Sequence, residues 1–116
     1  MIGRMVAMLL ADRSRWEQLV ADPSLARTAV EEVLRFDANP GFGMPHYLTR
    51  TPNHHLSFGA GPHSCLGQAL ARTELTTVLE VLLRRLPTLE LAIAPDELRR
   101  IEGLAVGGVE ELPVRW

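Results

Sequence analysis

Ten residues just past the middle of the chain leave its backbone little choice: Phe58-Gly59-Ala60-Gly61-Pro62-His63-Ser64-Cys65-Leu66-Gly67. The glycines at 59, 61 and 67 permit backbone angles denied to other residues and let a second group approach the chain closely. From about Gly67 to Leu86, the apolar residues Leu75, Val78, Leu79, Leu82, Leu83 and Leu86 recur at helical spacing, and Pro87 ends the run. Cys65, the single cysteine, therefore falls at a helix N-terminus, where unpaired N–H groups and the helix dipole favour a thiolate. Being alone, it excludes an internal disulfide framework.

The remaining segments are read from their periods. Residues 1–11 are apolar nearly all round, which predicts the end of a helix buried on several sides. Ser14 and Glu17 have the spacing of a capping box, opening a short helix that carries Trp16, Leu19 and Val20 on one face until Asp22-Pro23. A third helix is predicted from about Ser24 to Phe36, with Leu25, Ala29, Val33 and Phe36 as its inward stripe. Residues 37–57 hold three prolines and two glycines and show neither period, a loop too long to be ordinary inside a small domain. Near the C-terminus, Leu89, Leu91 and Ile93 alternate as a strand, as do Leu112, Val114 and Trp116, with a turn over Gly103 to Gly108. The expected fold is mainly α with a small β appendage.

With 116 residues the chain supports one domain, taken as 1–116. A net charge of −2 argues against a partner bound through phosphates, so no nucleic-acid role is expected. The longest apolar run, Met5 to Ala11, falls far short of the about 20 residues needed to cross a bilayer. No secretory signal pattern is visible, and the expected location is cytoplasmic, with no membrane association.

The chemistry centres on Cys65. Backbone N–H groups beyond it can point at the sulfur and spread its charge. A flat prosthetic group could then lie across Leu66 and Gly67 with its metal over the sulfur, as in thiolate-ligated heme. Two other readings compete: an inert buried thiol in a glycine-rich turn, and a zinc site built from Cys65 with His54, His55 and His63. The latter shows none of the short, regular ligand spacings of zinc sites. Upstream, Glu32 and Arg35 lie one helical turn apart and able to touch. Alone, such a pair reads as a solvated ion pair contributing under about 1 kcal/mol.

The pattern Phe58-x-x-Gly61-x-x-x-Cys65-x-Gly67, continued by Ala71-Arg72-x-Glu74, resembles the heme-binding signature of the cytochrome P-450 superfamily in its bacterial form. The resemblance implies that Cys65 is the axial iron ligand of heme b (iron protoporphyrin IX), with Phe58 shielding the sulfur and His63 reaching a propionate. Gly59, Gly61, Leu66 and Gly67 would complete the cofactor-binding site. AVEEVLRF looks like the K helix of that family, which implies a buried structural triad of Glu32, Arg35 and Arg50. Arg72 would contact a redox partner, beside its plain reading as surface charge. The implied elements are the end of the central helix, the J and K helices, the heme-thiolate loop, the L helix and the C-terminal strands. The implied activity is that of a heme- and iron-binding monooxygenase, an oxidoreductase inserting one oxygen atom with electrons from a ferredoxin-type donor.

The chain also departs from the family pattern. Met1 falls just after the place of the acidic-residue/threonine pair that helps deliver protons to oxygen. Arg35 and Cys65 stand only 30 positions apart, an interval in which the family places most of a β-sheet, a propionate-binding Arg and a long meander. RFDANPG resembles the start of that stretch and PHYLTRTPNHHLSFG its end, which puts a join around Gly41 to Met44. The expectation is a truncated family member, lacking the substrate-recognition regions and with impaired or no turnover alone. The alternatives are a non-catalytic heme-binding or auxiliary module, or a gene remnant. Helix 1–11 and the stripe of helix 67–86 would lose packing partners and drive oligomerisation or association with another chain.

Overall fold

The computed structural model describes residues 1–37, 48–101 and 108–116. In chain order the elements are α1 (Ile2–Leu10), α2 (Arg13–Ala21), α3 (Ala26–Asp37), α4 (Gln68–Arg85), and four two-residue strands. These are β1 (Glu90–Leu91), β2 (Arg100–Ile101), β3 (Gly108–Val109) and β4 (Val114–Arg115). The mainly α fold with a small β appendage is what the periods predict. The expected join at Gly41 to Met44 and most of the Gly103–Gly108 turn lie outside the described residues; Gly108 itself is in β3, paired with Ile101.

α1 buries Met5, Val6, Ala7, Leu9 and Leu10 and packs on α2, α3, α4, β1 and β3. It is not left without partners, and neither is the stripe of α4, where Leu75, Leu79 and Leu83 are buried. This corrects the expectation of bare apolar faces on those two helices: the surrounding elements close over both, because their stripes meet in one core with Trp16, Leu19, Val30 and Leu34. The most exposed large apolar side chains among the described residues are Leu56, Leu66, Trp116 and, in the first turn of α4 and off its buried stripe, Leu70.

α2 does not begin with a Ser14–Glu17 capping box. Its N-cap is Asp12, whose Oδ1 accepts from the Ser14 backbone N–H and hydroxyl at 3.1 and 2.6 Å. Glu17 is drawn instead to Arg13 Nε, 3.1 Å away and one turn back. Trp16 is fully buried, and its indole N–H donates to the Pro87 carbonyl at 3.1 Å, tying α2 to the end of α4. Arg13 Nη1 adds bonds to the carbonyls of Leu89 and Thr88.

A single 3₁₀ turn, Pro23–Leu25, precedes α3, with Pro23 where a helix start tolerates a missing N–H. α3 buries Ala26, Ala29, Val30, Val33 and Leu34, the i, i+3, i+4, i+7, i+8 stripe of a surface helix. Phe36 is not in that stripe. At 100° per residue it sits about a quarter-turn off the stripe's centre and is 37% exposed.

The strands are shorter than the alternation suggests. β1 and β4 pair antiparallel (Glu90 with Arg115, Leu91 with Val114), and β2 pairs with β3 in a separate ladder. Leu89 sinks into the core, while Trp116 stays largely exposed because no third strand or helix covers it among the described residues. No helix among the described residues is long and apolar enough to cross a membrane.

Candidate functional site

Two neighbouring carboxylates on α3 organise the region around the cysteine, and they do different work. Glu32 is fully buried. Its oxygens accept from Arg35 Nε and Nη2 at 2.7 and 2.8 Å, in the forked geometry that suits a guanidinium. Arg50 Nε approaches the same carboxylate at 3.2–3.4 Å, and Asn53 Nδ2 donates to it at 3.1 Å. The structure thus brings Glu32, Arg35 and Arg50 together and adds Asn53. Hydrogen bonding to Glu32 holds the Arg35 guanidinium above its ordinary pKa, against the opposing pull of burial. The reading of Glu32–Arg35 as a solvated surface pair does not hold.

Glu31, the adjacent residue, turns toward the loop. Its Oε1 accepts from Arg72 Nε at 2.6 Å, and its Oε2 accepts from Arg72 Nη2 at 3.2 Å and His55 Nε2 at 2.9 Å. The Ser57 N–H donates to His55 Nδ1 at 3.3 Å, which leaves Nε2 as the position that carries the proton toward Glu31. Ser57 Oγ donates to the Leu34 carbonyl at 2.7 Å, a second tie to α3. Burial by itself would push the Glu31 carboxyl up. The hydrogen bonds of Arg72 and His55, with the charge of Arg72, outweigh it and hold the pKa below its ordinary value.

The loop then folds on itself. The Gly59 N–H donates to the Leu56 carbonyl, and the Cys65 N–H to the Phe58 carbonyl, both at 2.8 Å. Gly59 and Gly61 take φ of +70° and +66°, where a side chain is strained, so the two turns require glycine. A one-turn 3₁₀ segment, Gly61–His63, carries His63 on the surface. Gly67 is the N-cap of α4, so the helix starts at Gln68 and Cys65 lies just ahead of it rather than inside.

Cys65 is solvent-exposed, which removes the reading of an inert buried thiol. Leu66 beside it is 101% exposed, Leu70 in the first turn of α4 is 64%, and Leu56 is 74%. A Cβ on Gly67 would lie 3.9 Å from the Cys65 sulfur, in space the glycine leaves clear. His54 is exposed and His55 is bound to Glu31, so neither joins the thiol; among the described residues no three His, Cys, Asp or Glu side chains gather around a metal position. Phe58 is half-buried, with the Arg72 guanidinium 4.7 Å above its ring. Arg72 also gives Nη1 to Gln68 Oε1 at 2.9 Å, and Gln68 Nε2 reaches Ser64 Oγ at 3.2 Å. Its head is therefore engaged by its own chain, although a third of the side chain remains accessible.

A cavity of about 250 Å³ lies apart from this loop, lined by residues of α1 such as Arg4, Ala7 and Met8, with Phe36, Leu98 and Val109. None of the loop residues lines it. The site around Cys65 is an open surface.

The sequence model of the Cytochrome P-450 family matches residues 32–97, from the buried glutamate through the entire cysteine loop. The chain belongs to the cytochrome P-450 family. Mycinamicin IV hydroxylase/epoxidase of Micromonospora griseorubida is 57% identical over 69 residues, covering 60% of this chain and 17% of that protein. The cytochrome P-450 BJ-1 homolog of Sinorhizobium fredii is 34% identical over 153 positions, covering 97% of this chain and 38% of its own. The solved structure of the bacillaene polyketide synthase cytochrome P-450 PksS of Bacillus subtilis superposes with a TM-score of 0.86 at 30% identity, over 97% of this chain and 39% of that one. The chain thus spans about two fifths of the length of these longer matches. Aligning 153 positions to 116 residues leaves at least 37 positions of the Sinorhizobium relative with no counterpart here.

Membership in the family implies a heme cofactor, and the loop fits one. An exposed sulfur, exposed leucines beside it and a cleared space at Gly67 form a surface suited to a flat apolar ring with a metal above the thiol. Glu31, His55, Asn53 and Gln68 were not legible as site residues. From the sequence His55 was a candidate only as a zinc ligand, and the one available signal for Gln68 was its four-residue spacing from Ser64 and Arg72.

Proposed function

We propose that this chain holds heme b through the Cys65 thiolate, as the thiolate-bearing segment of a cytochrome P-450 monooxygenase. The supporting observation is the exposed Cys65 in a glycine-required turn, flanked by solvent-facing Leu66 and Leu70. Cys65 would be the axial ligand, with Gly59, Gly61 and Gly67 shaping the turn around it. Leu66 would lie against the ring, Phe58 would screen the sulfur from water, and His63 would donate to a propionate. Heme bound through a thiolate supplies oxygen activation, because the ligand's electron donation favours O–O cleavage. Glu32, Arg35 and Arg50 act in the scaffold: they fix α3 to the segment entering the loop and do no chemistry themselves. A ferredoxin-type protein is the electron donor in this reading.

Turnover by this chain alone would be impaired or absent. At least 37 aligned positions of a relative have no equivalent, and the short interval between Arg35 and Cys65 is where the family's propionate-binding Arg and substrate-recognition elements would stand. The second reading, a heme-binding module without turnover, is favoured by the same open surface: Leu66 and Leu70 have no described residues across from them. Covering that surface with another chain would give an auxiliary protein.

The test is reconstitution with hemin, reduction and exposure to carbon monoxide. The red-shifted Soret band of thiolate ligation is expected, and Cys65→Ala should abolish it. Absence of heme uptake, or the same band in Cys65→Ala, would overturn the reading. Substrate-dependent oxygen consumption with a ferredoxin system would separate an enzyme from a binder.

A further inference from the structure

We propose that Glu31 is the positioning residue of the cysteine loop, one carboxylate that fixes both flanks of the turn presenting Cys65. On the incoming side it binds His55, three residues before Phe58; on the outgoing side it takes two N–H groups of Arg72, seven residues past Cys65. The loop between these anchors is thereby stapled to α3 at both ends. The staple reaches the cysteine through Phe58. The Arg72 guanidinium that Glu31 orients packs at 4.7 Å on the Phe58 ring, and the Phe58 carbonyl accepts the Cys65 N–H at 2.8 Å. Gln68 and Ser64 continue the chain of contacts from Arg72 back to the residue before the cysteine.

Removing Glu31 takes both Arg72 bonds from the outgoing side, while the incoming side keeps Ser57 Oγ on the Leu34 carbonyl and Arg50 and Asn53 on Glu32. Glu31 and Arg72 are partly solvated, with side chains 22% and 33% accessible, so their loss frees the loop without leaving a charge sealed in the core. The expected consequence is local: the turn opens more often while the helical core stays folded. How the loop presents Cys65 to heme rests on the function proposed above, whereas the staple itself does not.

The experiment separates the two by working first on the protein without added heme. In Glu31→Ala, amide exchange at Cys65 and alkylation of its thiol by iodoacetamide at neutral pH should both change at least tenfold, with exchange in α1 and α2 unchanged. Arg72→Met, which breaks the outgoing link and leaves His55 on Glu31, should change both in the same direction. The double variant should change them by less than the two single effects combined, because both singles break the Glu31–Arg72 link. Glu31→Gln, which keeps an acceptor for one donor, should restore part of the wild-type rate. Reconstituted Glu31→Ala should show a diminished thiolate Soret band relative to total bound heme. Wild-type exchange and alkylation rates in Glu31→Ala and Arg72→Met would overturn the proposal, as would additive effects in the double variant. Unchanged heme spectra alongside altered apoprotein rates would refute only the transmission to the ligand. Failure of wild-type protein to take up heme would refute the proposed function and leave the staple intact.

Discussion

Replacing Glu32 by leucine is the sharpest test of how the scaffold is held. The carboxylate has no solvent exposure and accepts both forks of Arg35 at 2.7 and 2.8 Å, together with Arg50 and Asn53. The substitution deprives Arg35, whose side chain is only 7% accessible, of that counter-charge in a low-dielectric surrounding. Breaking a buried pair from one side costs about 3–5 kcal/mol. Arg50 is about a third accessible, so it rehydrates and adds little. A small domain has only about 5–15 kcal/mol of stability in total, so the loss is a large share of it. With a urea m-value of about 2 kcal/mol per molar, the midpoint should fall by roughly 2 M. Urea unfolding followed by far-UV circular dichroism and by the fluorescence of buried Trp16 measures this directly. The double variant Glu32→Leu/Arg35→Met should recover at least half of the loss, since it removes the buried guanidinium charge as well. A single variant within about 1 kcal/mol of wild type, or a double variant as unstable as the two singles summed, would refute the reasoning.

Two further outcomes test the loop and its pH response. Gly59→Ala should lose about 1–2 kcal/mol in urea unfolding, since φ is +70° there, whereas Gly67→Ala, at φ −84°, should lose only about 0.5 kcal/mol yet take up heme more weakly through a methyl beside the sulfur. Glu31 has a folded pKa below its ordinary value of 4.5, so its contribution is complete above that value and is lost as pH falls through the lower folded one. The stability gap between wild type and Glu31→Gln, measured by urea unfolding from neutral pH downward, should therefore be constant above about pH 5.5 and close below 4.5; a gap that widens on acidification would contradict the sign.

Much of the site was legible because its constraints are local. Gly59 and Gly61 announce turns that only glycine makes easily, and the i, i+4 leucines of 75–83 announce the helix behind the cysteine. Glu32 and Arg35 are one turn apart, so their contact follows from helix geometry. The capping box at Ser14 failed because Asp12, two residues earlier, offers a carboxylate to the same helix start. The inward Phe36 failed because a stripe's edge cannot be told from its centre until a neighbour is packed on it. The exposed apolar faces expected on α1 and α4 failed for a similar reason: which surfaces are covered depends on elements distant in sequence.

By itself the sequence determined that a lone thiol would stand in a glycine-built turn ahead of a long amphipathic helix, since φ preferences and helical periods act within a few residues. Tertiary structure alone decided that Glu32 would be sealed in the core while its neighbour Glu31 faced the loop. A helix turns by about 100° per residue, so adjacent carboxylates must point to different surroundings. Only the approach of Arg50, His55 and Arg72 from 18 to 41 residues away fixes what those surroundings are.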